Sequence, residues 1–169
     1  WTNADHTLAL VSTAAGVFRY VPPATADGDW SVSCLIVQPT SDICVADFDG
    51  DGHDEILTLS AFHGDTLSVW HETENEDTYA KVWEDPEKRD FLHAIWSGEI
   101  YGEPCAVIGN RKGGRDLFRV HYADGSYQLE IIDHDRGPAN CWVLTDGDVT
   151  RVIAANRETD EVALYDVTK

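Results

Sequence analysis

The sequence predicts an all-β fold, a partial β-propeller of four-stranded antiparallel blades, and three observations carry that expectation. Helical periodicity is scarce, and short runs of β-branched and aromatic residues are broken by Gly, Asp, Asn and Pro. Four segments share one pattern of apolar strand, short polar or glycine-bearing loop, and aromatic-containing strand; they begin at His6, Asp54, Glu103 and Val149. Their spacing of about 45 to 50 residues is the period of a four-stranded propeller blade.

Taken in order, four blade-like units follow. Residues 1–40 hold "HTLALVSTAAGVFRYVPP", the second and third strands of a blade, and "WSVSCLIV", its outer strand. Residues 41–88 open with an inner strand in "DICVAD", continue through "DEILTLSAFHGDTLSVWHET" and close on "YAKVWEDP". Residues 89–135 repeat this with "FLHAIWS", "EPCAVIGNRKGGRDLFRVHYADG" and "YQLEIID". Residues 136–169 supply "NCWVLTD" and "VTRVIAANRETDEVALYDV". The first unit lacks an inner strand and the last an outer one, so residues 1–169 read as one propeller segment of about four blades, the first and last incomplete. The two ends do not complete one another's blade. Open edges of this kind are expected to be covered by further sequence or another chain, and a homo-oligomer through the open blade edges is one expectation. The chain contains no methionine, which suggests a processed product or a fragment of a longer reading frame.

A hydrophobic fraction of 43% excludes a disordered chain, and no apolar run is long enough for a membrane-spanning helix. A formal net charge of -19 argues against nucleic acid and anionic membrane surfaces as partners. It suits a body that binds cations or carries a locally basic site. Cys34, Cys44, Cys105 and Cys141 sit in apolar strand-like runs without a CxxC pair. Buried free thiols are the expectation, zinc is not, and the compartment stays open.

The run "VADFDGDGHDEILTL" concentrates the cation-binding chemistry. Asp47, Asp49 and Asp51 can offer carboxylates from one side of a tight loop, His53 its backbone carbonyl, and Glu55 a further carboxylate. That hard, oxygen-only set suits calcium, with magnesium as the alternative ion. Gly50 and Gly52 permit the positive φ angles of so tight a wrap. An EF-hand would need a bidentate Glu where Thr58 stands, and the flanks are strands, so that reading fails.

The loop resembles the FG-GAP/VCBS repeat family, the calcium-loop propellers of integrin alpha subunits and many bacterial proteins. Its pattern, DxDxDGxxD followed by a strand, is matched by Asp47, Asp49, Asp51 and Gly52, with Glu55 in place of the last Asp. The resemblance implies a ring of about seven or eight blades, with the loop joining the two inner strands of its blade and the cation acting as a structural staple. The counterparts "SGEIYGEP" and "TDGDVT" lack the full carboxylate set.

In such a blade the loops between strands two and three, and those leading into inner strands, lie on the opposite face. There the sequence places His63, Asn110, Arg111, Lys112, Arg115, Asn156, Arg157 and Glu158, with His93 and Asn140 at the starts of inner strands. Four of the 12 Lys and Arg fall in these loops. Arginine forks suit carboxylates and sugar hydroxyls. Alternatively, the Asn residues cap turns and the Arg residues pair with Asp116, Glu158 or Asp160.

Three functions stay open. One is a non-catalytic module, calcium-stabilised, binding a carbohydrate or small carboxylate ligand on the His/Arg face. Another is a carbon-oxygen lyase or dehydratase acting on a sugar, with His93 or His63 as base and Arg111, Arg115 and Arg157 stabilising an enolate. His93, "IGNRKGGRDL" and the aspartate loop loosely resemble the propeller of fungal sugar dehydratases acting on anhydrofructose. The third is a scaffold completing a ring with another chain. No phosphate loop, nucleotide fingerprint or serine triad motif is present.

Overall fold

The structure, a computed structural model, describes residues 1–168; Lys169, at the end of the last unit, lies outside the described residues. It is all β, with four antiparallel sheets and one short 3-10 turn at Arg157–Thr159. The first sheet holds β1 (Ala9–Thr13), β2 (Gly16–Val21) and β3 (Ser31–Ile36). The second holds β4 (Thr40–Ala46), β5 (Glu55–Ser60), β6 (Leu67–Glu72) and β7 (Tyr79–Glu84). The third holds β8 (Leu92–Ile100), β9 (Glu103–Asn110), β10 (Leu117–Ala123) and β11 (Ser126–Asp133). The fourth holds β12 (Pro138–Asp146), β13 (Val149–Asn156) and β14 (Glu161–Val167). Within each sheet every strand pairs with the next in sequence, so the sheets are meanders, and the end sheets have three strands, as the repeat predicts.

The core lies between sheets. Leu10, Val17, Leu35, Ile43, Val45 and Ile56 fill the space between the first and second. Cys44, Leu57, Leu59, Ile108 and Phe118 fill that between the second and third. Val107, Leu117, Cys141, Val152 and Ala154 fill that between the third and fourth. Successive side chains of a strand point to opposite faces, so Ile56 serves one layer and Leu57 the next. With both faces covered, β5 and β9 are buried almost throughout and read as continuous apolar runs. The inner strands β4, β8 and β12 are neighbours in series.

The connection from β7 to β8 carries an ionic clamp. Arg89 Nε donates to Asp85 Oδ2 at 2.6 Å, and its Nη1 lies 3.5 Å from Asp116 Oδ2 in the next sheet. The guanidinium also stacks 5.0 Å from the centre of the Phe118 ring. All three charged side chains are at least nine-tenths buried. Each therefore depends on its partners for lost hydration.

The two end sheets are covered on one face only. On the fourth, Trp142, Ile153 and Leu164 stand in one cross-strand row, with Trp142 59% and Leu164 64% exposed. On the first, Val11, Trp30 and Val32 are exposed. Cys34, expected to be buried, is exposed for the same reason: it lies in the outer strand β3 of a sheet with no neighbour on that side. The other three cysteines are buried, and all four are free thiols.

The three links between first and second strands of a blade differ. At β8–β9 the link narrows to Tyr101 and Gly102, with φ of 54° and 81°, as a two-residue hairpin turn requires. The run "SGEIYGEP" is thus strand almost to its middle, not a loop. At β12–β13 the link is Gly147 and Asp148. At β4–β5 it expands to residues 47–54, although Ala46 and Glu55 still pair at its base.

Candidate functional site

The expanded loop is held by its own carboxylates. Asp47 accepts the N–H of Gly50 at 2.8 Å and of Gly52 at 3.0 Å, through different oxygens. Asp49 Oδ1 accepts the Asp51 N–H at 3.1 Å, and Asp51 Oδ1 accepts the His53 N–H at 2.8 Å. Gly50 and Gly52 take φ of 77° and 93°, where a Cβ would be strained. The wrap brings oxygens of Asp47, Asp49 and Asp51 within 4.8 Å of one another, close enough for one cation.

Glu55 differs from the other four residues picked from the loop. It is fully buried at the start of β5; its Oε2 accepts the Phe48 N–H at 2.8 Å. Burial pushes its carboxyl up to about 7, with the Asp49 charge adding to the rise and the Phe48 N–H opposing it. His71, at the end of β6, lies beside it: Nε2 is 2.9 Å from Asp51 Oδ2 and 3.5 Å from Glu55 Oε1. Asp49, Glu55 and His71 form a second group able to hold a metal. The His53 side chain is exposed, its ring 6.2 Å from that of His71.

On the opposite face the basic residues are largely spoken for. Arg111 donates from Nη2 and Nε to Glu158 Oε1 at 2.7 and 3.1 Å, crossing from the third to the fourth sheet. The same oxygen lies 3.4 Å from Arg157, and the Arg111 guanidinium holds the Glu158 carboxyl below its usual range. Arg115 pairs with Asp135 at 2.9 Å. Asn110 closes its own turn, donating to the Lys112 carbonyl at 2.6 Å and accepting the Asp116 N–H at 3.0 Å. Asn156 is buried and donates toward Glu161 and the Tyr165 hydroxyl. Asn140 is exposed, and its side chain caps the Cys141 N–H at 2.9 Å.

What the fold assembles beside these pairs is a column of rings. His63 stacks on Phe91 at 3.7 Å between centres, Phe62 packs on His63 at 3.6 Å, and His93 lies 5.6 Å from His63 with its ring nearly parallel. Arg111 and Lys112 cover Phe91 at 4.7 and 5.0 Å. Phe62 is 81% exposed. His63 and Phe91 both adopt left-handed backbone, φ of 58° and 65°, a conformation that histidine visits more readily than most residues and that is costly for Phe91. Ser41, Asp42, Phe62, His63, Leu92 and His93 line a shallow cleft of about 100 Å³. His93 Nδ1 lies 2.9 Å from the Ala139 carbonyl, which makes Nδ1 the donor and leaves Nε2 as the basic nitrogen. Partial burial, then the charges of His93, Arg111 and Lys112, hold the His63 imidazolium below its ordinary pKa.

The structure thus brings His63 and His93 together, with Arg111 and Lys112 over the Phe91 ring. It leaves Arg115, Asn110, Asn156 and Arg157 in local pairs or turns. Sequence reasoning missed Phe62, Phe91, Ser41 and Asp42 here, and His71 and Tyr127 at the acidic loop. An aromatic beside a histidine in the turn "AFHGD" was the available signal for Phe62. No protein-family model matches this chain, and no curated protein gives a significant match.

Proposed function

We propose that this chain is a cation-stabilised propeller module that binds a neutral carbohydrate on the Phe62 face. The observation that carries this reading is the stacked column of Phe62, His63, Phe91 and His93, ending in an exposed phenylalanine beside Asp42 and Ser41. The apolar C–H face of a pyranose packs on such a ring, while hydroxyls take hydrogen bonds from the polar groups around it. A carboxylate ligand is less well served, because Arg111, Arg115 and Arg157 already have carboxylate partners. The loop at residues 47–55 is the cation staple in this reading. Its residues fit a calcium ion: Asp47, Asp49 and Asp51 bring hard oxygens within 4.8 Å of one another. Bound there, calcium would neutralise the carboxylates and hold the loop closed.

Affinity electrophoresis through gels containing neutral glucans, mannans and galactans, with polyuronates alongside, tests the ligand. Retardation by a neutral polymer, lost in Phe62→Ala while the native spectrum is kept, is the expected result. Retardation by polyuronates alone would contradict it.

The free Nε2 of His93 favours one further reading, a sugar lyase with His93 as base. Turnover of a sugar substrate abolished by His93→Ala would support it. Binding that survives His93→Ala without turnover supports the module.

A further inference from the structure

Behind the acidic loop, polar groups of two sheets converge on one buried point. Glu55 has no exposed surface, and its Oε1 accepts no hydrogen bond. The Tyr127 hydroxyl, from β11 of the next sheet, is also buried and reaches the same point, where it interacts with Glu55 and feels the charge of Asp49. His71 Nδ1 lies 2.6 Å from the Glu72 carbonyl oxygen, so Nδ1 carries a proton. Nε2 is thereby turned toward Asp51 and Glu55. Protonated, Nε2 donates to Asp51 Oδ2 at 2.9 Å; neutral, it offers a lone pair that an ion held by Asp49 and Glu55 can take. A backbone carbonyl fixing one ring nitrogen while the other faces carboxylates is how metal-binding histidines are held.

We propose that Asp49, Glu55 and His71 bind a divalent transition metal ion of the zinc or manganese class, deeper than the all-oxygen position of Asp47, Asp49 and Asp51 and sharing Asp49 with it. The ligand atoms of each group lie within 4.8 Å of one another. One imidazole nitrogen with two carboxylates suits a borderline ion rather than calcium, which takes oxygen ligands. Tyr127 or water would complete the set. This deepens the cation reading of the loop: it keeps a cation there and adds a position with nitrogen among its ligands.

The test is a titration of metal-free protein with cobalt(II), read by visible ligand-field absorption and by broadening of the His71 ring signals, with zinc as competitor. Calcium is titrated separately by thermal shift. One equivalent of cobalt should bind, zinc should displace it, and both His71→Ala and His71→Gln should weaken it by roughly a hundredfold or more. Two His71 variants guard against one failing to fold. A calcium shift with no cobalt absorption would overturn the proposal and leave the calcium reading standing; cobalt binding without a calcium response would do the reverse. Cobalt binding that survives both His71 variants overturns it. So does a metal-insensitive His71 that is doubly protonated at neutral pH, because the histidine would then be the cation itself.

Discussion

His71 Nε2 stands 3.5 Å from a Glu55 oxygen that is fully buried and has no hydrogen-bond donor. That pairing ties the loop at residues 47–54 to the interior of its blade. It makes the loop sensitive to what neutralises its acids.

In the calcium reading, calcium at about a hundred times its Kd raises folding stability by about 2.7 kcal/mol. Thermal unfolding with EDTA, calcium or magnesium should show a calcium-specific rise in midpoint. Asp49→Ala should abolish it, because Asp49 belongs to both candidate groups. A midpoint indifferent to every metal would leave the loop held by its aspartate turns alone.

Thiol reactivity reports on the inter-sheet layers. Burial pushes the Cys105 thiol up to about 11 and the Cys141 thiol up to about 12, and it raises Cys44 further. Cys34 is exposed. A disulfide reagent should titrate one thiol in native protein and four after denaturation. Rapid reaction of a second native thiol would show that a layer opens.

Phe118→Ala should cost about 3–5 kcal/mol, because the ring is fully buried between the second and third sheets. Arg89→Ala should cost about as much, leaving the buried Asp85 without its cation, while Asp116 keeps His134 at 2.8 Å. Arg119→Ala, whose partner Glu130 is exposed, should cost no more than about 1 kcal/mol. Urea denaturation of the three variants checks the ranking.

The ring column should depend on pH. His63 has its folded pKa held below 6.5, so its contribution to stability is present above pH 6.5 and lost as pH falls through the depressed value. Carbohydrate affinity should fall over the same range, because protonated His63 faces His93, Arg111 and Lys112. An NMR titration of the His63 ring should give a midpoint below 6.5, raised in His93→Gln. A midpoint above 6.5 would mean that those charges do not reach it.

Much of this was legible in the sequence where the signal is local. The aspartate spacing of residues 47–51 and the recurring strand pattern follow from residues near one another in the chain. The strand count of each sheet followed from them. Contacts set by register were not legible. His71 meets Glu55 because Ile56 pairs with Trp70, and Tyr127 arrives from another sheet. Phe91 meets His63 because the β7–β8 connection returns beside the β5–β6 turn, as the Leu92 N–H to Gly64 carbonyl bond shows. The basic face looked free because Arg111 and Glu158 are 47 residues apart, although their pairing was among the alternatives. The turn at Tyr101 was hidden by Gly98 and Glu99, which read as loop but lie in β8.

The account turns on which face meets ligand, and an amide chemical-shift map during addition of a neutral oligosaccharide reads that directly. The oligosaccharide is taken from whichever polymer retards the protein. Shifts confined to Ser41, Asp42, residues 61–64, residues 91–93 and Lys112, absent in Phe62→Ala, are the predicted result. Shifts centred on residues 47–55 and His71, with the Phe62 face silent, would contradict it.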